Sequence, residues 1–284
     1  MKTGVSLFSF TADADLKNVF GKIKAAGYDG AEPVLSENGY LNPNSTVAQI
    51  KEIKNLADDF GLEIPSVGVW ALWENNLISN DAKTAKRAMD IVKKQIEAAH
   101  LLGADTILIV PGYVGCDFAS EPERVRYDIA YDRCRSALEI LAPEAEKANV
   151  NIGIENVWNR FLLSPLEMKR LIKEVGSPNV GVYFDVGNIM YIGYPGDWIE
   201  ILGTDIKKIH LSDYRTSQSG LGAFVDLFAG DVDFKEVAQS LNKIGYDDYV
   251  ILEMLPNYRQ FPEVSIVSNK TAVDKIVELA SSVE

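Results

Sequence analysis

A strand-length apolar run followed by an amphipathic stretch of helical length recurs eight times along this chain. Few architectures accept eight such units in a row. The Val- and Ile-rich runs read as buried parallel strands near Gly4–Phe8, Gly30–Pro33, Ile64–Trp70, Thr106–Val110, Val150–Glu155, Val180–Asp185, Lys208–Leu211 and Val250–Glu253. Between them apolar residues fall at helical spacing. Leu16, Val19, Phe20 and Ile23 occupy i, i+3, i+4 and i+7, and Ile50, Ile53, Lys54, Ala57 and Phe60 follow much the same stripe. Helix starts carry cap chemistry: Ser164-Pro165-Leu166-Glu167 offers an N-cap serine, an N1 proline and an N3 glutamate, with related patterns at Ser120-Glu121-Pro122-Glu123 and Asp233-Phe234-Lys235-Glu236. Gly27, Gly61, Gly103, Gly176, Gly203 and Gly245 follow helices and Asn149 takes the remaining place, so all seven internal helix-to-strand turns are expected to use a left-handed residue.

Eight βα units predict an α/β fold of the closed kind, a (β/α)8 TIM barrel forming one domain over residues 1–284. An open doubly wound sheet would carry a Gly-rich phosphate loop after the first strand. The sequence there is Ser6-Leu7-Phe8-Ser9-Phe10-Thr11-Ala12, with no such loop. No Pro/Gly/Ser-rich linker and no low-complexity tract divides the chain. The formal net charge of −13 repels phosphate backbones and anionic membranes, which argues against a nucleic-acid partner. No apolar run reaches the roughly 18 residues a membrane span needs, and the first residues lack the h-region of a signal peptide. Cys116 and Cys134, without a CxxC spacing, fit a reducing cytoplasm better than a disulfide framework. A cytoplasmic location is therefore expected, and a homodimer is compatible with this class.

Catalytic residues of such barrels stand at the C-terminal ends of strands. The second run ends at Glu32, the fifth at Glu155, the sixth at Asp185 and the eighth at Glu253, and the seventh reaches His210. Ionisable residues inside apolar runs are costly to bury unless paired or bound to metal. Taken singly, each fits an ordinary helix-cap or loop-anchoring hydrogen bond. Four of them on four consecutive strands, Glu155, Asp185, His210 and Glu253, fit a divalent ion such as Mn2+, with Mg2+ and Zn2+ as alternatives. Only His100 and His210 exist; His100 sits late in a helix and reads as a surface residue, so a histidine-rich multi-zinc site cannot be built. Trp70, Trp73 and Trp158 lie at or just past strand ends, where they would wall a substrate pocket; Trp70 and Trp158 fit a core position equally well.

The stretches Gly153–Pro165 (GIENVWNRFLLSP), Val180–Asn188 (VGVYFDVGN), Lys207–Arg215 (KKIHLSDYR), Gly220–Phe234 (GLGAFVDLFAGDVDF) and Val250–Pro256 (VILEMLP) resemble the xylose-isomerase-like barrel superfamily, in its sugar phosphate isomerase/epimerase branch. They are similar to hexulose-6-phosphate isomerases and to 3-epimerases of pentulose 5-phosphates. The resemblance implies Glu155, Asp185, His210 and Glu253 as metal ligands, Glu155 and Glu253 as the acid/base pair, and Arg215 as a substrate contact. Where free-ketose 3-epimerases carry a histidine this chain has Asn188, and Leu162 replaces their second glutamate after Asn159-Arg160-Phe161. Asn188, Glu32, Trp70 and Trp158 join Arg215 as expected substrate contacts. The polar run Arg215–Gly220 has the groups that hold a phosphate, so a phosphorylated substrate is expected. The chemistry implied is isomerisation or 3-epimerisation of a ketose or ketose phosphate: one glutamate removes a proton next to a carbonyl, the enediolate is stabilised by the metal, and the second glutamate completes the transfer. A metal-dependent dehydratase or hydrolase, and a silent sugar-binding barrel, are the competing readings. The histidine-rich endonuclease IV branch is excluded by the two-histidine count.

Overall fold

The computed structural model of the chain describes residues 1–11, 13–116 and 123–282. In chain order its strands are β1 (Lys2–Ser6), β2 (Gly30–Glu32), β3 (Val34–Leu35), β4 (Ser66–Val69), β5 (Thr106–Ile109), β6 (Asn151–Glu155), β7 (Val180–Asp185), β8 (Ile206–Leu211), β9 (Asp213–Tyr214), β10 (Phe224–Val225) and β11 (Tyr249–Leu252). Nine of them form one parallel sheet in the order β2-β1-β11-β8-β7-β6-β5-β4-β3. The two ends of that order are halves of a single extended run. Pro33, which has no N–H to give a ladder, splits β2 from β3. Its carbonyl still accepts from Gly68 N at 2.8 Å, and Ala31 N donates to Glu63 O at 3.0 Å. The sheet therefore comes round on itself at eight positions, as the repeat requires: the fold is a TIM barrel.

Eight α-helices lie among the described residues: α1 (Leu16–Ala25), α2 (Val47–Asp59), α3 (Ala82–Leu102), α4 (Tyr127–Ala148), α5 (Pro165–Val175), α6 (Pro195–Leu202), α7 (Phe234–Lys243) and α8 (Pro262–Ser281). Each presents an apolar stripe to the outer face of the sheet, for example Ile91, Val92 and Ile96 of α3, Leu138 and Leu141 of α4, and Val273 and Ile276 of α8. A fully buried side chain of this size contributes about 1.5–3 kcal/mol, so the ring of helices is the main hydrophobic store of the fold. None of these helices is long and apolar enough to cross a membrane.

Caps and turns follow the sequence closely. Ser164 accepts from Leu166 N with Pro165 at the first helical position, but Glu167 does not close a capping box; it accepts from the Tyr127 hydroxyl at 2.6 Å and ties α5 to α4. Asp233 accepts from Lys235 N and Glu236 N. Ser120, Glu121 and Pro122 of the third pattern lie outside the described residues. All seven helix-to-strand turn residues have positive φ. Some strand limits shift. The first run is a strand only to Ser6, whose hydroxyl accepts from Phe8 N and opens a 3-10 turn, and Trp70 likewise turns the third run into a 3-10 helix. The small antiparallel pair β9–β10 was not foreseen.

Connections from helix to strand are short, whereas those from strand to helix are long: residues 36–46, 186–194, 212–233 and 253–261, with the described residues 110–116 and 123–126, gather at one end of the barrel. That end, beyond the C-termini of the strands, has the chain available to build a pocket. Gly203 tests the turn logic. Its φ of 57° and ψ of −127° suit glycine only, although a Cβ there would touch nothing within 4 Å. Gly222 has equally open space without a positive φ. Gly203→Ala should therefore cost about 1–3 kcal/mol of stability and Gly222→Ala almost nothing, as read by denaturant unfolding; equal effects would contradict the backbone explanation.

Candidate metal centre and active site

Side chains alternate across a strand, so residues two apart on one strand share a face. On β8, Lys208, His210 and Ser212 just beyond its end step up the barrel interior, and Tyr183 and Asp185 do so on β7. Glu155 closes β6 and Glu253 follows β11 directly. Register pairs Asp185 with His210 across β7 and β8, and His210 with Ile251 two residues before Glu253. The outcome is convergence: one ligand atom from each of Glu155, Asp185, His210 and Glu253 lies within 4.8 Å of every other. Ligand atoms at roughly 2.0–2.3 Å from one ion stand at most about 4.6 Å apart, so the group needs only slight contraction to close on a cation.

The polar contacts of these side chains leave one particular edge open. His210 Nε2 lies 3.0 Å from Glu32 Oε1, whereas Nδ1 faces Glu253 Oε2 at 3.5 Å and Glu155 Oε1 at 4.0 Å without a hydrogen bond. Asp185 Oδ1 accepts from Asn188 N at 2.7 Å and Ser212 Oγ at 2.8 Å, whereas its Oδ2 is buried with no partner. Asn156 fixes the Asp185 backbone on both sides, donating to its carbonyl at 2.7 Å and accepting from its N–H at 2.9 Å. Asn188 Nδ2 reaches Glu155 Oε1 at 3.4 Å. Buried polar atoms nearly always have partners; here the orphaned Nδ1 and Oδ2 both belong to the converging group. The donor set, three carboxylates and one imidazole, suits a divalent ion, and the four residues form a buried candidate metal site.

Electrostatics follows from burial and crowding. Burial, then the charge of Glu253, pushes the Glu155 carboxyl well above its usual range. The same two causes raise Asp185 to about 7. Burial alone would lower His210, but the carboxylates of Glu32 and Glu253 outweigh it and hold the imidazole well above its ordinary value. Burial likewise opposes the Glu32 charge, and His210 with three hydroxyl or imidazole hydrogen bonds keeps it low.

Above these four residues the described wall of the pocket is aromatic: Phe8, Trp70, Trp73, Trp158 and Phe224, with Glu155, Asn188, Ser212 and Glu253 at its floor. Trp158 stacks on Phe224 at 5.0 Å between ring centres and donates its Nε1 to Asn188 O at 2.8 Å. Trp70 is 40% exposed. Both tryptophans thus stand at the mouth rather than in the core. His100 is exposed on the last turn of α3, with Nδ1 on Ala148 O. Two expected substrate contacts are placed elsewhere. Glu32 is fully buried beneath the imidazole, with both oxygens engaged, and does not face the pocket. Arg215 donates to Ala229 O at 2.8 Å in the loop beyond β9 and is absent from the described pocket wall, and the neighbouring Thr216 is held by Asp231. The run Arg215–Gly220 is thus engaged with its own loop. Ser212 and Asn156 were missed; Ser212 could have been found by counting two residues on from His210.

A family model described as a xylose isomerase-like TIM barrel matches residues 20–270. The chain belongs to that family. An uncharacterized protein of Methanocaldococcus jannaschii is 27% identical over 262 residues, 89% of this chain and 83% of its own. The L-ribulose-5-phosphate 3-epimerase UlaE of Shigella flexneri is 21% identical over 246 residues, 86% and 84% of the two chains. Among solved structures, a D-psicose 3-epimerase determined in the presence of D-fructose superposes with a TM-score of 0.80 at 19% identity, covering 99% of this chain and all of that one. The IolI protein with a bound zinc atom gives 0.81 at 17%, covering both chains completely. At these identities the structural matches show the shared barrel fold.

A pH dependence follows. Glu155, Asp185 and His210 have folded pKa values raised above their unfolded ones, so the folded, metal-free protein binds more protons and loses stability as pH rises from about 5 to 8. Glu32, being depressed, is ionised in both states across that window. A cation bound by these residues would take the place of those protons. The gap in melting temperature between Mn2+-loaded and chelator-stripped protein should therefore widen with pH over this range; a constant or narrowing gap, measured by calorimetry, would contradict the site.

Proposed function

We propose that this protein is a divalent-metal-dependent epimerase or isomerase of a ketose or ketose phosphate. The reading is carried by one observation: Glu155 and Glu253, from sheet positions separated by β7 and β8, meet at the same point and both border the pocket. The name of UlaE and the sugar epimerases among the structural matches support the substrate class. The zinc atom bound in the IolI structure supports a metal in a barrel of this kind. For this chain Mn2+ is proposed first, with Mg2+ and Zn2+ as substitutes, held by Glu155, Asp185, His210 and Glu253.

When bound, the ion supplies Lewis-acid polarisation of the substrate carbonyl. The chain's own residues do the rest. Asp185 and His210, each held on one edge by protein hydrogen bonds, fix the centre. Trp70, Trp158 and Phe224 cover the sugar and keep water from the reacting carbon. One of the two glutamates removes the proton next to the carbonyl. The other, in its protonated form, delivers its own proton to the opposite face of that carbon and inverts it; delivery of a proton to the neighbouring carbon instead, with the hydroxyl proton passing between the two oxygens, isomerises the sugar. A dehydratase would require a leaving hydroxyl and no second base, and the paired glutamates favour proton return instead. Arg215 would have to leave the Ala229 carbonyl to touch a phosphate.

In D2O, with Mn2+ and a panel of ketoses and ketose phosphates, the accepted substrate should gain deuterium at C3 if it is epimerised or at C1 if it is isomerised. Product formation with loss of water and no recovered deuterated ketose would establish the dehydratase instead. Glu155→Gln and Glu253→Gln should each lower kcat by about 10²–10⁴ while circular dichroism shows a retained fold. Near-normal turnover in either would rule out the paired-glutamate chemistry.

A further inference from the structure

A second polar cluster lies directly beneath the ligands and converges on Glu32. Ser6 Oγ donates to Glu32 Oε1 at 2.7 Å, and His210 Nε2 meets the same oxygen at 3.0 Å. Ser66 Oγ donates to Oε2 at 2.6 Å, and the Tyr183 hydroxyl donates to it as well. Ser6, Glu32, Ser66, Tyr183 and His210 are all without solvent exposure. They come from five strands, β1, β2, β4, β7 and β8, so the cluster spans the barrel interior. The Tyr183 ring also packs edge-on against the imidazole, 4.5 Å between centres at 62°, which fixes the plane of the ring.

A carboxylate only accepts hydrogen bonds, and its two oxygens offer about four sites. Three hydroxyls and an imidazole fill them. The bond at His210 Nε2 must then be N–H to O, and a neutral imidazole protonated at Nε2 carries its lone pair on Nδ1. Nδ1 is the buried nitrogen that lacks a hydrogen-bond partner and faces Glu155 and Glu253. A side chain meant only to fill the barrel would not need a carboxylate here, since burying one without compensation is costly.

We propose that Glu32 is a positioning residue for the metal centre. It acts through His210 by holding the proton on Nε2 and aiming Nδ1 at the three carboxylates, with Ser6, Ser66 and Tyr183 keeping it in place, and it touches neither ion nor substrate. This rests on the metal-dependent reading above.

The chain's two histidines make the test direct. In His100→Gln protein labelled with 15N-histidine, His210 is the sole imidazole, and NMR of the Zn2+-loaded, diamagnetic form reports which nitrogen bears hydrogen. The expected spectrum is a single species with hydrogen on Nε2; hydrogen on Nδ1 overturns the proposal, and this measurement needs no change at Glu32. Glu32→Gln should then weaken Mn2+ binding about 10–100-fold, the effect typical of losing such a partner, measured by competition with a chelator, and should broaden or split the His210 signals. Wild-type affinity with an unchanged His210 spectrum in Glu32→Gln overturns the role of Glu32 and leaves the metal centre intact. Wild-type protein that takes up no Mn2+ overturns the centre itself. If Glu32→Gln fails to fold, the parent spectrum decides.

Discussion

Four carboxylates and one imidazole are packed into the upper half of a barrel whose walls are otherwise apolar. Glu32, Glu155, Asp185 and His210 are buried and Glu253 is only 12% exposed. Negative charge at this density in a low-dielectric interior is unstable unless protons or a cation offset it. The metal-free answer is visible in the upward shifts of Glu155, Asp185 and His210, which are protons retained to relieve the crowding. A divalent ion is the other answer, and it would satisfy at once the buried Nδ1 of His210 and Oδ2 of Asp185. The surrounding architecture serves this arrangement. Asn156 and Ser212 hold Asp185, Glu32 holds His210, and the long strand-to-helix connections bring aromatic walls over the opening.

The barrel interior is layered. At its far end Lys208, 1% exposed, reaches Asp105 Oδ1 at 2.7 Å and Asp248 Oδ2 at 2.5 Å, an ionic plug below the Glu32 cluster. Glycine stands at Gly68, where a Cβ would come within 3.0 Å of Phe8 and 3.4 Å of Glu32, and at Gly153, where it would meet Tyr183 at 3.0 Å. These absent side chains make room for the large polar ones opposite. The interior is therefore organised from bottom to top as plug, positioning cluster, candidate ligands and aromatic mouth, and Lys208, His210 and Ser212 climb the first three layers two residues at a time.

The eightfold repeat and its glycine turns were legible because they rest on local chemistry: periodicity, caps and φ at one residue. The four converging residues, Glu155, Asp185, His210 and Glu253, were legible because each interrupts an apolar run near the end of its own strand. Glu32 satisfied the same rule, yet it sits lower in the barrel, because strand stagger and the break at Pro33 decide depth and neither is written in a single run. The aromatic wall was legible in part. Trp70, Trp73 and Trp158 stand near strand ends, whereas Phe224 arrives on the β9–β10 excursion, more than ten residues past its strand. Arg215 stands outside the described pocket wall for a related reason: its direction is set by its bond to the Ala229 carbonyl in the same loop, which no local pattern announced.

The central claim is that four side chains hold one divalent ion. The direct measurement is anomalous diffraction from crystals grown with Mn2+. A single strong peak is expected at the C-terminal mouth of the barrel, at coordination distance from Glu155, Asp185, Glu253 and the Nδ1 of His210. A peak that omits His210, or no peak there despite Mn2+ in excess, would contradict the account.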